Sequence, residues 1–272
     1  MFKRHLVISA VLLIFSLDIY AQDAGSHPLF QDDWLIRIGG QQADADVKFG
    51  LGNPELGDIP LIDTSQGNTD PSLTSIWFDA VWQGPEKWSF GFSYFQARVE
   101  GDRTTSEDLM FGDLEIPAGT GIQTDFETDF YVLNGYYDFF QSAGQSAGIG
   151  LGVYALDLSA SVEAFIGGEA TGSSESADAL APLPTLSAYY KHAFNENWAF
   201  RVNLSWLSLN IDKYDGSVLG TDLSVEYWPN EHWGVGGGYT YVDLDLTIDE
   251  TLFDQRYEVQ YDSFFLFATF GF

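Results

Sequence analysis

The chain has no cysteine, which excludes a disulfide framework, a thiolate metal site and a lipid-modified N-terminal cysteine. It is poor in positive charge: 11 Lys and Arg stand against 40 Asp and Glu, a formal net charge of −29. Nucleic acid is thereby excluded as a natural partner, because phosphate binding needs basic patches. After the first residues no stretch approaches 18 uninterrupted apolar positions, so no transmembrane helix is encoded. Histidine is scarce as well, at four residues, which limits the choice of general bases.

What is abundant is aromatic surface and glycine: 8 Trp, 14 Tyr, 22 Phe and 28 Gly. The first residues read as an export signal over 1–21. Lys3 and Arg4 precede an apolar run from Leu6 to Leu17 that is too short to span a bilayer, and Ile19-Tyr20-Ala21 offers a small residue for cleavage before Gln22. The competing reading, an N-terminal anchor, is opposed by Asp18 and Tyr20, which end the apolar run early. Residues 22–272 then form one domain.

Its period is two. Trp198, Phe200, Val202, Leu204 and Trp206 alternate with Ala199, Arg201, Asn203 and Ser205, and the pattern recurs over Leu219–Tyr227, Trp233–Tyr241 and Phe264–Phe272. In a soluble sandwich the apolar face is core; in a membrane barrel it meets lipid and the polar face lines the lumen. Three features favour the barrel. Trp88, Trp198 and Trp233 each follow a short polar turn, where an interfacial girdle belongs, with Trp206 and Tyr241 eight residues on from Trp198 and Trp233. Eight tilted strand residues cover roughly 20 Å, close to the height of the apolar band. The last segment alternates through Phe264, Leu266, Phe270 and Phe272, the pattern of a strand recognised by the barrel assembly machinery.

The expected fold is therefore all-β: a transmembrane antiparallel up-and-down β-barrel of ten strands, with eight or twelve as alternatives, in the outer membrane of a Gram-negative bacterium. The strands are expected at 34–47, 73–83, 88–100, 124–140, 148–163, 182–194, 198–211, 218–228, 233–246 and 257–272. Short connections face the periplasm and long ones the exterior, which puts both chain ends at the periplasm.

By this point the chain resembles small outer-membrane barrels of the OmpA/OmpW type in the broad sense. It is most similar to a group of proteobacterial outer-membrane barrel proteins. The matching stretches are Arg98–Thr104, Ile116–Thr120, Gly150–Asp157, Leu183–Leu186 and Tyr214–Ser217. The resemblance implies fold and compartment; no activity is attached to that group, so it implies no site residue.

The strand phase aims Arg37, Asp79, Asp138, Lys191, Arg201, Asp222 and Glu226 inward. Unpaired charges in a narrow lumen are costly, so ion pairs are expected among these three cations and four acids, either as a gate or as a polar filling. Arg201 is expected to pair with at least one of Asp222 and Glu226 on the next strand, Glu226 being the better candidate. The glycine rows Gly148, Gly150, Gly152 and Gly234, Gly236, Gly238 either widen a pore or make room for the inward Trp77, Tyr136, Tyr154, Phe265 and Phe267.

Two runs are strongly acidic and are expected as exterior loops. One carries Glu100, Asp102, Glu107, Asp108, Asp113, Glu115, Asp125, Glu127 and Asp129; the other carries Asp243, Asp245, Asp249, Glu250 and Asp254. They suit diffuse attraction of divalent cations and contact with lipopolysaccharide, without an EF-hand spacing and with no defined metal site. No cofactor is indicated. Outer-membrane hydrolases generally place a histidine at the exterior end. Here His5 lies in the signal, His27 before the first strand, and His192 and His232 at the periplasmic side, so no enzyme is expected. Two functions remain open: a narrow channel or passive carrier for small solutes, and a structural or surface-interaction barrel with a sealed lumen.

Overall fold

The computed structural model describes residues 27–52, 61–63, 73–105, 108–111, 114–166, 169–211, 214–249 and 254–272. The expected signal segment lies outside them. Ten long strands form a ring: β1 Trp34–Gly52, β2 Leu73–Gln83, β3 Trp88–Thr104, β4 Gly121–Ser142, β5 Gln145–Ile166, β6 Glu169–Ala193, β7 Trp198–Ile211, β8 Tyr214–Tyr227, β9 Trp233–Ile248 and β10 Asp254–Gly271. Each pairs with its chain neighbours, and β10 pairs with β1 from Leu35↔Gly271 to Gly52↔Asp254, which closes the ring. Trp34 and Phe272 exchange both backbone hydrogen bonds at the seam, at 2.9 and 3.1 Å. A two-residue strand at Ile62–Asp63 lies on β1, and Leu109–Phe111 pairs with Leu114–Ile116.

All ten expected strands are present, and eight of them run beyond their expected bounds, all eight at the end opposite the termini. The segment 164–181, expected as a loop, is strand except at 167–168, which is not described. The link expected at 212–217 is likewise strand from Tyr214. The reason is chemical. Alternation continues past the lipid band with its sense reversed: the outward positions become acidic and the inward ones apolar.

The turns at the other end are short. Gly144 takes φ +76°, a left-handed conformation that suits glycine, in the tight turn between β4 and β5. By the short-turn rule this end, which also carries Trp34 and Phe272, is periplasmic. The β6–β7 ladder stops at Leu186↔Trp206, short of Pro184, which has no N–H to donate.

Candidate functional site

The lumen is layered. At its periplasmic mouth lies a one-turn 3-10 helix, Pro28–Phe30, whose Leu29 packs with Leu35, Ala193, Ala199 and Trp228. Above this cap sits a layer of buried charge. Arg37 on β1 is fully buried and faces its register partner Asp79 on β2, with Nη1 at 2.7 Å from Oδ1. The same guanidinium reaches Glu226 on β8, with Nε donating to Oε1 at 3.0 Å. Arg201 on β7 also reaches Asp79, at 3.1 Å. β7 and β2 are five places apart in a ring of ten, so this bond crosses the barrel.

The remaining charges are held by neutral groups. Lys191 Nζ donates to Gln83 Oε1 at 2.8 Å and lies 5.5 Å from the Phe30 ring centroid. Asp138 accepts from Gln141, Ser146 and the Tyr189 hydroxyl. Asp222 accepts from Asn203 at 3.3 Å and Thr240 at 3.1 Å. Ser93 donates to Asp79 and Trp228 Nε1 donates to Glu226, so the acids in the ion pairs have further donors. Seven charges, three positive and four negative, are thus stitched together in a water-poor space, where losing one partner strands another.

All seven residues expected inside face inward. The expected pairing of Arg201 with Glu226 is corrected. Arg201 stands opposite Ser224, and Glu226 opposite Ala199, one step nearer the periplasm. At that level Arg37 reaches Glu226, and Arg201 extends to Asp79 instead. In a lumen this narrow, side chains meet across the barrel as readily as along its wall.

Above the charges is an aromatic layer. Trp77 stacks on Phe265 at 4.5 Å and lies 5.4 Å from Phe267. The glycine rows make room for such rings: a Cβ at Gly236 or Gly238 would collide with Phe267 or Phe265, and one at Gly148 with Tyr189. A cavity of about 70 Å³ remains between the layers, lined by Asp79, Arg201, Asn203, Asp222, Tyr136 and Tyr154 among others. It has room for a few water molecules.

The extracellular end of the lumen is a dry core. Phe95 stacks on Phe130 at 4.6 Å and Phe49 on Phe126 at 5.9 Å. Around them pack Val47, Val99, Leu156, Leu158, Val162, Leu244, Leu246 and Tyr261, all essentially without exposure. The outward positions of the same strands carry Asp44, Asp46, Asp125, Glu127, Asp129, Asp157, Asp243, Asp245 and Glu258. The acidic residues expected in loops therefore sit largely on strands. Arg98 is paired with Glu100 and Asp125, Lys48 with Glu258, and Arg256 with Asp245 and Glu258. The side chains of Glu107, Asp113, Glu115 and Glu250 lie outside the described residues. Asp108 holds the Ala118 N–H, Asp249 follows β9 and Asp254 opens β10.

The outer face of the lower half meets lipid. Trp88, Trp198 and Trp233 are exposed at the periplasmic rim, beside Trp34 and Trp82, while Trp206 and Tyr241 mark the upper rim. Phe264, Leu266, Phe270 and Phe272 all project outward, and Leu266 is 75% exposed. A closed barrel with such an apolar band around its outside is stable only in a membrane. The class is therefore a ten-stranded transmembrane β-barrel.

A comparison with solved structures supports that class. The chain is similar to the outer membrane protease OmpT of Escherichia coli, with a TM-score of 0.63 at 9% identity over 89% of this chain and 97% of that one. More distant likenesses are to Ail of Yersinia pestis (TM-score 0.36, 14% identity, 89% and 99% covered) and OprG of Pseudomonas aeruginosa (0.35, 13%, 89% and 96%). At 9% identity the likeness to OmpT speaks for fold alone, that of an outer-membrane β-barrel. No family model and no curated protein sequence matches.

Sequence reasoning missed the cap and its supports, His27, Leu29, Gln83 and Trp228. A signal was available: His27-Pro28 places a polar capping residue before proline at the first helical position.

Proposed function

We propose that this protein is a sealed outer-membrane barrel that acts through its extracellular extension, as a structural or surface-interaction protein. One observation carries the reading: the lumen is packed along its length, by the cap, the charge layer, the aromatic layer and the dry extracellular core. A channel or passive carrier needs a path, and among the described residues these layers surround a cavity of about 70 Å³, which favours the sealed reading. The acidic outer face of the extension suits divalent cations, which would bridge it to lipopolysaccharide phosphates. Its described basic side chains Lys48, Arg98 and Arg256 already have carboxylate partners. Catalysis is not part of this reading, since His27, His192 and His232 lie at the periplasmic end.

Conductance of the purified protein in planar bilayers tests it. The expected result is a bilayer without steady unitary steps. Reproducible steps of fixed size would restore the channel reading.

A further inference from the structure

The periplasmic cap is built around one imidazole. His27 takes φ −68° and ψ 132°, the extended conformation required before Pro28, and its Nδ1 accepts the Leu29 N–H at 3.1 Å. The ring is fully buried, edge-on to Trp228 at 5.8 Å. Trp228 in turn donates to Glu226, the partner of Arg37. Gln83 ties the cap down from β2: its Nε2 donates to the carbonyls of Leu29 at 3.0 Å and Asp32 at 2.8 Å, while its Oε1 holds Lys191. The cap thus covers the charge layer and is fastened to it at two points.

We propose that the segment 27–33 is an acid-released lid over the periplasmic mouth, latched by neutral His27. The latch bond requires an unprotonated Nδ1. Protonation removes the acceptor that holds Leu29 and places a charge in a site closed to water. Burial lowers the pKa of His27, and the Glu226 carboxylate and the Asn197 backbone carbonyl oppose this without reversing it. Glu226 is already engaged by Arg37 and Trp228, and Lys191 adds positive charge on the cap's far side. The folded pKa is below the ordinary imidazole value, so the closed lid is fully stable above about pH 6.5 and weakens as pH falls below it. Asp32 works in the opposite sense. Burial raises its carboxyl pKa, with His232, Asp33 and Glu231 nearby, so acid relieves Asp32 and favours closure. Release in acid is therefore assigned to His27.

The inference does not depend on whether the lumen conducts. Hydrogen–deuterium exchange of the full mature chain in detergent, corrected for intrinsic rates, reads it at pH 7.5 and 5.0. Protection of segment 27–33 is expected to fall roughly tenfold or more in acid while the strands keep theirs. His27→Asn keeps a neutral cap acceptor and should stay protected at both pH values. His27→Ala should be unprotected at both. An unchanged wild-type segment, an acid response in His27→Asn equal to the wild type's, or joint loss of protection by strands and segment would each overturn the proposal.

Discussion

The two halves of this barrel are built from the same strands in the same phase, yet they are inside-out relative to each other. Along β4, inward Asn134, Tyr136 and Asp138 in the membrane half give way to Phe126 and Phe130 above, while outward Tyr131 and Leu133 give way to Asp125, Glu127 and Asp129. β9 makes the same exchange, from inward Gly236 and Gly238 to Val242, Leu244 and Leu246, and from outward Val235 to Asp243 and Asp245. The solvent decides. Above the membrane the outside is water, and the hydrophobic effect drives apolar side chains inward as in any soluble sheet. Within lipid that drive vanishes, apolar side chains face out, and the lumen is held by ion pairs and hydrogen bonds.

This contrast predicts which positions in each half are costly to change and which are not. The largest effect is expected for Phe130→Asp, which puts a carboxylate into the dry extracellular core; loss of at least about 4 kcal/mol should abolish the heat-modifiable folded band on gels. Arg37→Ala breaks the charge layer and leaves Asp79 and Glu226 short of a partner. About 3–5 kcal/mol is expected, measured by urea unfolding in detergent. In a double-mutant cycle with Glu226→Gln the pair should cost less than the sum of the single changes, and additivity would show that the two residues are independent. On the lipid face, Leu266→Arg should cost about 2–4 kcal/mol in bilayers. A much smaller loss in detergent than in lipid would confirm that membrane, and not protein, is its surroundings. Gly236→Ala presses on the Phe267 ring and on the Val225 carbonyl and is expected to cost about 1–3 kcal/mol, relieved only in part by pairing it with Phe267→Leu. Smallest is Asp157→Asn on the acidic exterior, within about 0.5 kcal/mol. A large effect there would mean that the acidic face contributes to folding, a role the comparison of halves does not give it.

Much of the architecture was legible because a two-residue period is a local property. Trp88, Trp198 and Trp233 after short turns, and the alternation ending at Phe272, marked strand ends directly. The extracellular strand extensions were not legible by the same reasoning, because Glu127 or Asp245 on an outward face looks like loop when lipid is the expected neighbour. The inward set from Arg37 to Glu226 followed from phase. Which acid each arginine meets did not, because Arg201 to Asp79 joins residues 122 positions apart in the chain. The cap was legible only as a capping pattern at His27-Pro28, with nothing local to show that Gln83 and Trp228 would receive it.

The sequence by itself determined that this is a membrane β-barrel and which side of each strand faces the lumen, because alternation and turn length act between near neighbours; the closed ring then fixed the strand number at ten, where the sequence left eight and twelve open. Only the tertiary structure decided which side chains meet inside the lumen. Filling depends on how rings such as Phe95, Phe130 and Trp77 meet across a closed wall, and closure brings together strands that no local pattern relates.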